Sequence, residues 1–312
     1  MASYRALRAH HSLIELCQTP ELAVQVTLQP IEALDVDAAI LFSDLLLPLA
    51  PLGLPFHFAA GEGPVVETPL RSSADIDGLR RFEPRESLAA PLEAIRLLRR
   101  ELKVPLIGFA GAPFTLASYA IEGGHSKTFA RTKELMYREP QAWGRLMETL
   151  AAVVADYLVA QVEAGAEALQ VFDSWVGHLT EDDYTTLVAP YLRPLFERLR
   201  PLSVPVIHFG TGTGHLLRAQ RDAGGDVVGV DWRTPLGEAR RLLGDSVAIQ
   251  GNLDPALLLA PRERLLAGVG AVLAQAGTGP GHVFNLGHGI FPETPVENVR
   301  AVVEHVRALT AR

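Results

Sequence analysis

Short runs of β-branched or otherwise apolar residues recur along the chain at Val36 to Phe42, Pro105 to Ala110, Ala168 to Phe172, Val204 to Phe209, Val227 to Val230, Val247 to Gln250 and His282 to Leu286. Each leads into a loop, and amphipathic segments with apolar positions at three and four spacing lie between them, such as SLAAPLEAIRLLRREL, QAWGRLMETLAAVVADYLVAQVEAG and VENVRAVVEHVRALTAR. Continuous apolar runs suit strands covered on both faces, and the three-and-four spacing suits helices with one buried stripe. The alternation predicts an α/β fold with a parallel sheet under helices. Seven such strands predict a TIM-type (βα)8 barrel one strand short of closure. FHFAAGEGPVVETPL predicts a hairpin inserted after the first strand, with Gly61 to Gly63 in its turn. MASYRALRAHHSLIELC goes straight into helix, leaving no strand ahead of Val36. No composition break, Ser/Gly linker or low-complexity tract divides residues 1–312, so one domain is expected.

Polar residues and glycines cluster just after these runs: Asp44, GAPFTLASY, Asp173-Ser174, GTGTG, Asp231, Asn252-Leu253-Asp254-Pro255, and His288 in NLGHGIFP. Barrel enzymes hold their active sites at the carboxyl ends of the strands, so the clustering carries functional weight. Asp44 stands out because it lies within the almost wholly apolar VDAAILFSDLLLPLAPLGLP. A buried ionised carboxylate is costly without a partner. The structural alternative is an N-cap for a short helix beginning at Leu45; the position after a strand favours a site.

Composition narrows the classes. At 48% hydrophobic and 21% charged residues the chain has globular proportions. The most apolar window, Leu45 to Phe56, is short and broken by three prolines, which argues against a membrane span, and no signal-like segment opens the chain. The net charge of −8, with only Lys103, Lys127 and Lys133 as lysines, argues against a general nucleic-acid surface. Any anionic ligand would need arginines focused locally. Cys17 is the single cysteine, so no internal disulfide forms; a cytoplasmic, reducing setting and a packed thiol on a helix are expected.

Two rival chemistries can be weighed from spacing. PVIHFGTGTGHLLRAQRDAGGDVVGVD has the strand, glycine turn, helix, strand and acid of a dinucleotide site, but with G-x-G-x-G spacing and in mid-chain. His208, His215 and His288 could join a carboxylate around zinc, yet neither H-E-x-x-H nor a cysteine partner is present, so no metal is expected. The glycines of GHG would let a ligand approach the His288 imidazole. Ser174 is a hydrogen-bond donor or the cap of a helix starting near Glu181. Tyr119 is a core residue or a phenol awaiting a carboxylate.

LFSDLLLPL, GFAGAPFTLASYAIEGG, AGAEALQVFDSWVGHL, VVGVDWRTPL, QGNLDP and NLGHGIFPETPVENV, in that order, resemble the uroporphyrinogen decarboxylase family over essentially the whole chain. The resemblance implies a TIM barrel acting as a cofactor-free carboxy-lyase of heme biosynthesis, which converts the four acetate arms of uroporphyrinogen III to methyls, giving coproporphyrinogen III. It also implies a homodimer. Asp44 matches the family aspartate that accepts the pyrrole N–H groups. Tyr119, Ser174 and His288 match its substrate-contacting tyrosine, serine and histidine, and Arg8 matches an arginine that meets a substrate carboxylate. Phe42 and Ser43 flank Asp44 in the same site, and Asp44, Tyr119 and His288 are the candidate catalytic groups. The rival within the superfamily is a cobamide-dependent methyltransferase with zinc thiolates, which looks to need cysteines where this chain has His208-Phe209-Gly210 and Gly287-His288-Gly289. A tetrapyrrole-binding remnant without activity is the other alternative.

The family opens with a strand and loop of the form MRQAGRY, carrying two arginines, and SYRALR matches only the tail of it. The chain is therefore expected to turn over weakly, and an N-terminal extension bearing that strand to raise both turnover and thermal midpoint. Equal values for the two forms would show the segment to be dispensable.

Overall fold

A computed structural model describes residues 1–59, 63–244, 246–279 and 281–311. Its strands are β1 (Ala39–Ile40), β2 (Phe56–Ala59), β3 (Gly63–Val66), β4 (Leu106–Gly111), β5 (Ala168–Asp173), β6 (Val206–Gly210), β7 (Val227–Gly229), β8 (Ala248–Gln250) and β9 (His282–Val283). β2 and β3 form the expected antiparallel hairpin, and Gly61 of its turn lies outside the described residues. The other seven make one parallel sheet in the order β1-β4-β5-β6-β7-β8-β9. The three amphipathic segments fold as helices Ala89–Glu101, Pro140–Ala164 and Val296–Thr310. Among the described residues no helix is long and apolar enough to cross a membrane.

Strand alternation puts Phe109, Phe172 and Phe209 on the inner face, where Phe109 and Phe172 meet edge-on at 5.5 Å and Phe172 and Phe209 at 5.8 Å. The sheet curls far enough for Gln250 Nε2 to donate to Gln170 Oε1 at 3.3 Å across the interior. Among the described residues β1 and β9 do not pair. Their residues Ile40 and Val283 consequently remain 44% and 47% exposed. Outside this gap the helical layer is continuous. Arg300 Nη2 on helix Val296–Thr310 donates to the Ala33 carbonyl of helix Pro20–Leu34 at 3.0 Å, and Arg307 Nη2 donates to Asp37 Oδ1 at 2.7 Å.

The sequence pattern predicts a first strand over Val36 to Phe42, but only Ala39–Ile40 is strand. The reason lies in which groups satisfy the backbone. Leu41 N–H donates to Ile107 O at 3.0 Å, the last rung of the ladder. The next amide, Phe42 N–H, donates instead to Thr27 Oγ1 at 2.9 Å. On β4 the matching groups of Phe109 are taken by a side chain from helix Pro140–Ala164: Phe109 N–H donates to Gln161 Oε1 and Gln161 Nε2 donates to Phe109 O, both at 2.8 Å. Gln161 is fully buried, and it fits because Gly108 has no Cβ, which would stand 2.3 Å from Gln161 Oε1. The amide thus replaces a rung and releases Phe42 to Asp44 from the sheet.

Replacing Gln161 with Leu would orphan a buried N–H and a buried C=O, so a loss on the order of 3 kcal/mol is expected. Urea unfolding checks this, and Gly108→Ala should move stability in the same direction by displacing the amide. An unchanged midpoint for both variants would contradict this account of where β1 ends.

Candidate active site

After β1 the chain makes a tight turn in which Leu46 N–H donates to Asp44 Oδ1 at 2.8 Å, just ahead of the 3-10 helix Leu47–Leu49. Asp44 is thus not the N-cap of a helix beginning at Leu45, since the helix starts at Leu47 with Leu46 as its N-cap and no side chain capping it; one oxygen of Asp44 instead organises the turn before it. Oδ2 makes no hydrogen bond or ion pair among the described residues. Burial pushes the Asp44 carboxyl above the usual carboxylate range, and the Leu46 amide offsets only part of that. Phe42, Ser43 and Asp44 line a cavity of about 590 Å³ with Phe109, Phe172 and Ile290. The walls are mainly apolar, so Asp44, the one carboxylate among the described lining residues, faces hydrocarbon and aromatic rings.

Ser174 and His288 line a neighbouring cavity of about 560 Å³ with Trp175, Trp232 and Arg233. The two spaces have no lining residue in common, but they are lined from the same two loops. Phe172 faces one and Ser174 the other, and Ile290 and His288 divide likewise. Tyr119, on helix Pro113–Glu122, is among the lining residues of neither cavity; its ring meets Trp175, which lines the second, edge-on at 5.8 Å. Burial and then the Asp44 charge push its phenol up to about 12, with the Trp175 side chain opposing, so it is a proton-bearing donor. Burial, followed by the Arg233 charge, lowers the His288 pKa. The imidazole is therefore biased towards its neutral form.

The loops holding these groups are tied to one another. Asp231 is almost wholly buried; its Oδ2 accepts the Gly212 N–H at 2.6 Å and an Arg233 Nη1–H at 2.6 Å, and its Oδ1 accepts the Arg233 N–H at 3.1 Å. Asn252 Nδ2 donates to Asp231 O at 2.8 Å and Thr234 O at 2.6 Å. A Cβ on Gly177 would stand 2.2 Å from Thr211 O, so the loops after β5 and β6 touch backbone to backbone. The ends of β5 to β8 thus form one braced rim.

A sequence profile described as uroporphyrinogen decarboxylase (URO-D) matches residues 1–309. The uroporphyrinogen decarboxylase of Sorangium cellulosum is 57% identical over 99% of this chain and 89% of its own length. The chain belongs to the uroporphyrinogen decarboxylase family. A Thermus thermophilus relative of that name is 53% identical over 99% of this chain and 90% of its own length. Among solved structures, a methyltransferase from Methanosarcina mazei superposes with a TM-score of 0.80 at 21% identity, covering 95% of this chain and 88% of that one. A B12-independent methionine synthase from Shewanella sp. W3-18-1 superposes with a TM-score of 0.62 at 13% identity, covering 93% of this chain and 87% of that one. At such identities these two establish the barrel-type fold alone.

Against this family background several sequence expectations change. The glycine turn of the dinucleotide alternative is occupied from within, since the Asp231 carboxylate takes the Gly212 amide that a pyrophosphate would use. His208 lies fully buried with Nδ1 on Gly224 O at 3.2 Å, burial lowering it to about 4, and His215 Nε2 meets Leu179 O at 2.8 Å. Gly287 serves the protein rather than a ligand, because a Cβ there would stand 2.3 Å from Trp232 N, whereas Gly289 meets nothing within 4 Å. The helix Glu181–Leu187 is capped by Thr180, not Ser174. Asp173 turns outward to Thr115, whose Oγ1 donates to its Oδ1 at 2.9 Å, and complete burial raises its carboxyl to about 7. Cys17 is a buried thiol on helix Leu13–Gln18. Arg8 is exposed, gives Nη1 to His11 O at 2.5 Å, and lines neither cavity. The sequence pattern does not single out Trp175, Trp232 and Arg233; the signal they carry is that of aromatic and basic residues one or two places after a strand-end acid.

Asp44→Asn keeps the shape and the acceptor for Leu46 but removes the charge. Turnover should fall on the order of 10² or more. The thermal midpoint at neutral pH should be unchanged or higher, because a carboxyl whose pKa is raised by folding opposes folding once ionised. Such a group keeps its proton longer in the native state, so stability is lost as pH rises through the native-state value. The variant's advantage should accordingly appear above that pH and vanish in acid. Near-normal turnover, or a lower midpoint at neutral pH, would contradict the role assigned to Asp44.

Proposed function

We propose that this chain decarboxylates the four acetate arms of uroporphyrinogen III to give coproporphyrinogen III, as a carboxy-lyase of heme biosynthesis. The observation that carries the reading is Asp44: a carboxylate at a strand end, raised by burial, with Oδ2 open to an apolar cavity. Family membership supplies the substrate that would complete it.

Loss of CO₂ from an arylacetate needs an electron sink. Protonation of a pyrrole carbon creates one, a cationic ring. The bond between the methylene and the carboxylate then breaks, its electron pair flows into the ring, and CO₂ leaves. The methylene carbon takes a proton to become methyl, and the ring carbon gives one back. The net change per arm is one proton consumed and one CO₂ released. Asp44 accepts the pyrrole N–H groups and stabilises the cation where its charge develops, an arrangement that costs no reorganisation at the moment of reaction. Tyr119 acts as a neutral phenol donor, and Ser174 and His288 hold carboxylate arms. Because the sink is part of the substrate, the chemistry asks for no prosthetic group. The reading extends to a single barrel domain over residues 1–312 that works as a cytoplasmic homodimer.

Anaerobic incubation with uroporphyrinogen III should yield coproporphyrinogen III through partly decarboxylated intermediates, without added metal and undiminished by chelators. Absence of any decarboxylated product would overturn the reading, and about one tightly held zinc per chain would point to methyl-transfer chemistry instead.

A further inference from the structure

The substrate class just proposed is strongly anionic, whereas the chain carries a net charge of −8. Among the described residues lining the two cavities, Arg233 is the one permanently charged cation. Its surroundings are built. One face lies on the Trp232 ring, with Cζ 3.7 Å from the ring centroid. One amino group, Nη1, is bonded to Asp231 Oδ2 at 2.6 Å. The side chain is 52% exposed, against 1% for Asp231. Nε and Nη2 make no hydrogen bond among the described residues, so the guanidinium is clamped on one side and open on the other. The same cavity holds Ser174, and the His288 ring stands edge-on to Trp232 at 5.8 Å. The nearby acid, Asp254, accepts the Ala256 N–H at its Oδ1.

We infer that Arg233 is a carboxylate-binding residue of this site, its open edge gripping one acid arm of the substrate while Trp232 and Asp231 hold it in place. The alternative role is purely internal, in which Arg233 only neutralises Asp231 and steadies the rim. A stacked, half-bonded guanidinium loses little further freedom on binding, and its remaining parallel N–H groups match a carboxylate. Asp231 takes up part of the charge, which makes the contact moderate rather than tight. Binding here would place an arm in the second cavity, beside Ser174 and Trp175, rather than in the one that Asp44 lines.

The inference rests on the proposed reaction, so the test separates the two. Unaltered protein, Arg233→Gln and Arg233→Lys are compared for KM and kcat with uroporphyrinogen III, for thermal midpoint, and for binding of uroporphyrin, the stable oxidised octacarboxylate, by quenching of tryptophan fluorescence. The Gln variant should raise KM and the uroporphyrin Kd about tenfold or more, the worth of one charge-assisted hydrogen bond, with a much smaller fall in kcat. It should also weaken the dependence of binding on salt, and the Lys variant should recover most of the affinity. Unchanged KM and Kd in an active protein would overturn this inference alone. A lower midpoint with kcat falling and KM constant would assign Arg233 the internal role, and overturn it too. If the unaltered protein neither turns over uroporphyrinogen nor binds uroporphyrin, the proposed reaction falls and this inference with it.

Discussion

A side-chain amide that stands in for a strand governs the architecture of the site. Gln161 satisfies both backbone groups of Phe109, and Thr27 takes the amide of Phe42, so the first strand stops two residues after it pairs. Backbone groups in a barrel wall must be satisfied somewhere, and these two polar side chains do it without the ladder. The chain is then free to leave the sheet at Phe42 and present Asp44 over the barrel mouth. Gly108 makes room for the amide, since a Cβ there would stand 2.3 Å from Gln161 Oε1. Position of the carboxylate is thus set by contacts made on the opposite side of the strand from it.

The same arrangement explains why the carboxylate has no cationic partner among the described residues. An arginine beside Asp44 would lower its pKa and steady the fold, but it would also occupy the charge that a ring cation needs. Leaving Oδ2 over an aromatic and aliphatic cavity holds the group in an unfavourable state until N–H donors arrive with the ligand. Polar and charged groups for the periphery of a ligand are kept apart, in the second cavity with Ser174, His288 and Arg233. One space thus provides an apolar bed with a single anion, and the other provides donors for anionic arms. Trp175, a wall of the second cavity, packs edge-on against the Tyr119 ring behind it.

Much of this was legible in the sequence. Seven apolar runs correspond to seven parallel strands in chain order, the hairpin lies where glycine-rich punctuation puts it, and every residue of the Asp44, Ser174 and His288 set follows a strand. Periodicity carries such features because burial imposes it. What it could not carry was competition for backbone hydrogen bonds, which cut Val36 to Phe42 down to Ala39–Ile40. Nor could it reveal which partner a glycine serves: Gly287 reads as an opening for ligand, but accommodates the backbone of Trp232. Asp231 occupies the acid position of the disfavoured dinucleotide layout; in three dimensions it closes the glycine turn and anchors Arg233. These are long-range pairings between loops, and spacing along the chain does not encode them.

The central claim is that Asp44 is a buried anion completed by its ligand, and its own titration addresses that most directly. The carboxyl of Asp44 can be followed by infrared difference spectroscopy against the Asn variant, with and without uroporphyrinogen under anaerobic conditions. The account predicts titration above the usual carboxylate range in the empty protein and a fall when the pyrrole N–H groups arrive, since donors favour the ionised form. A carboxyl that titrates in the ordinary range and does not move on binding would contradict it.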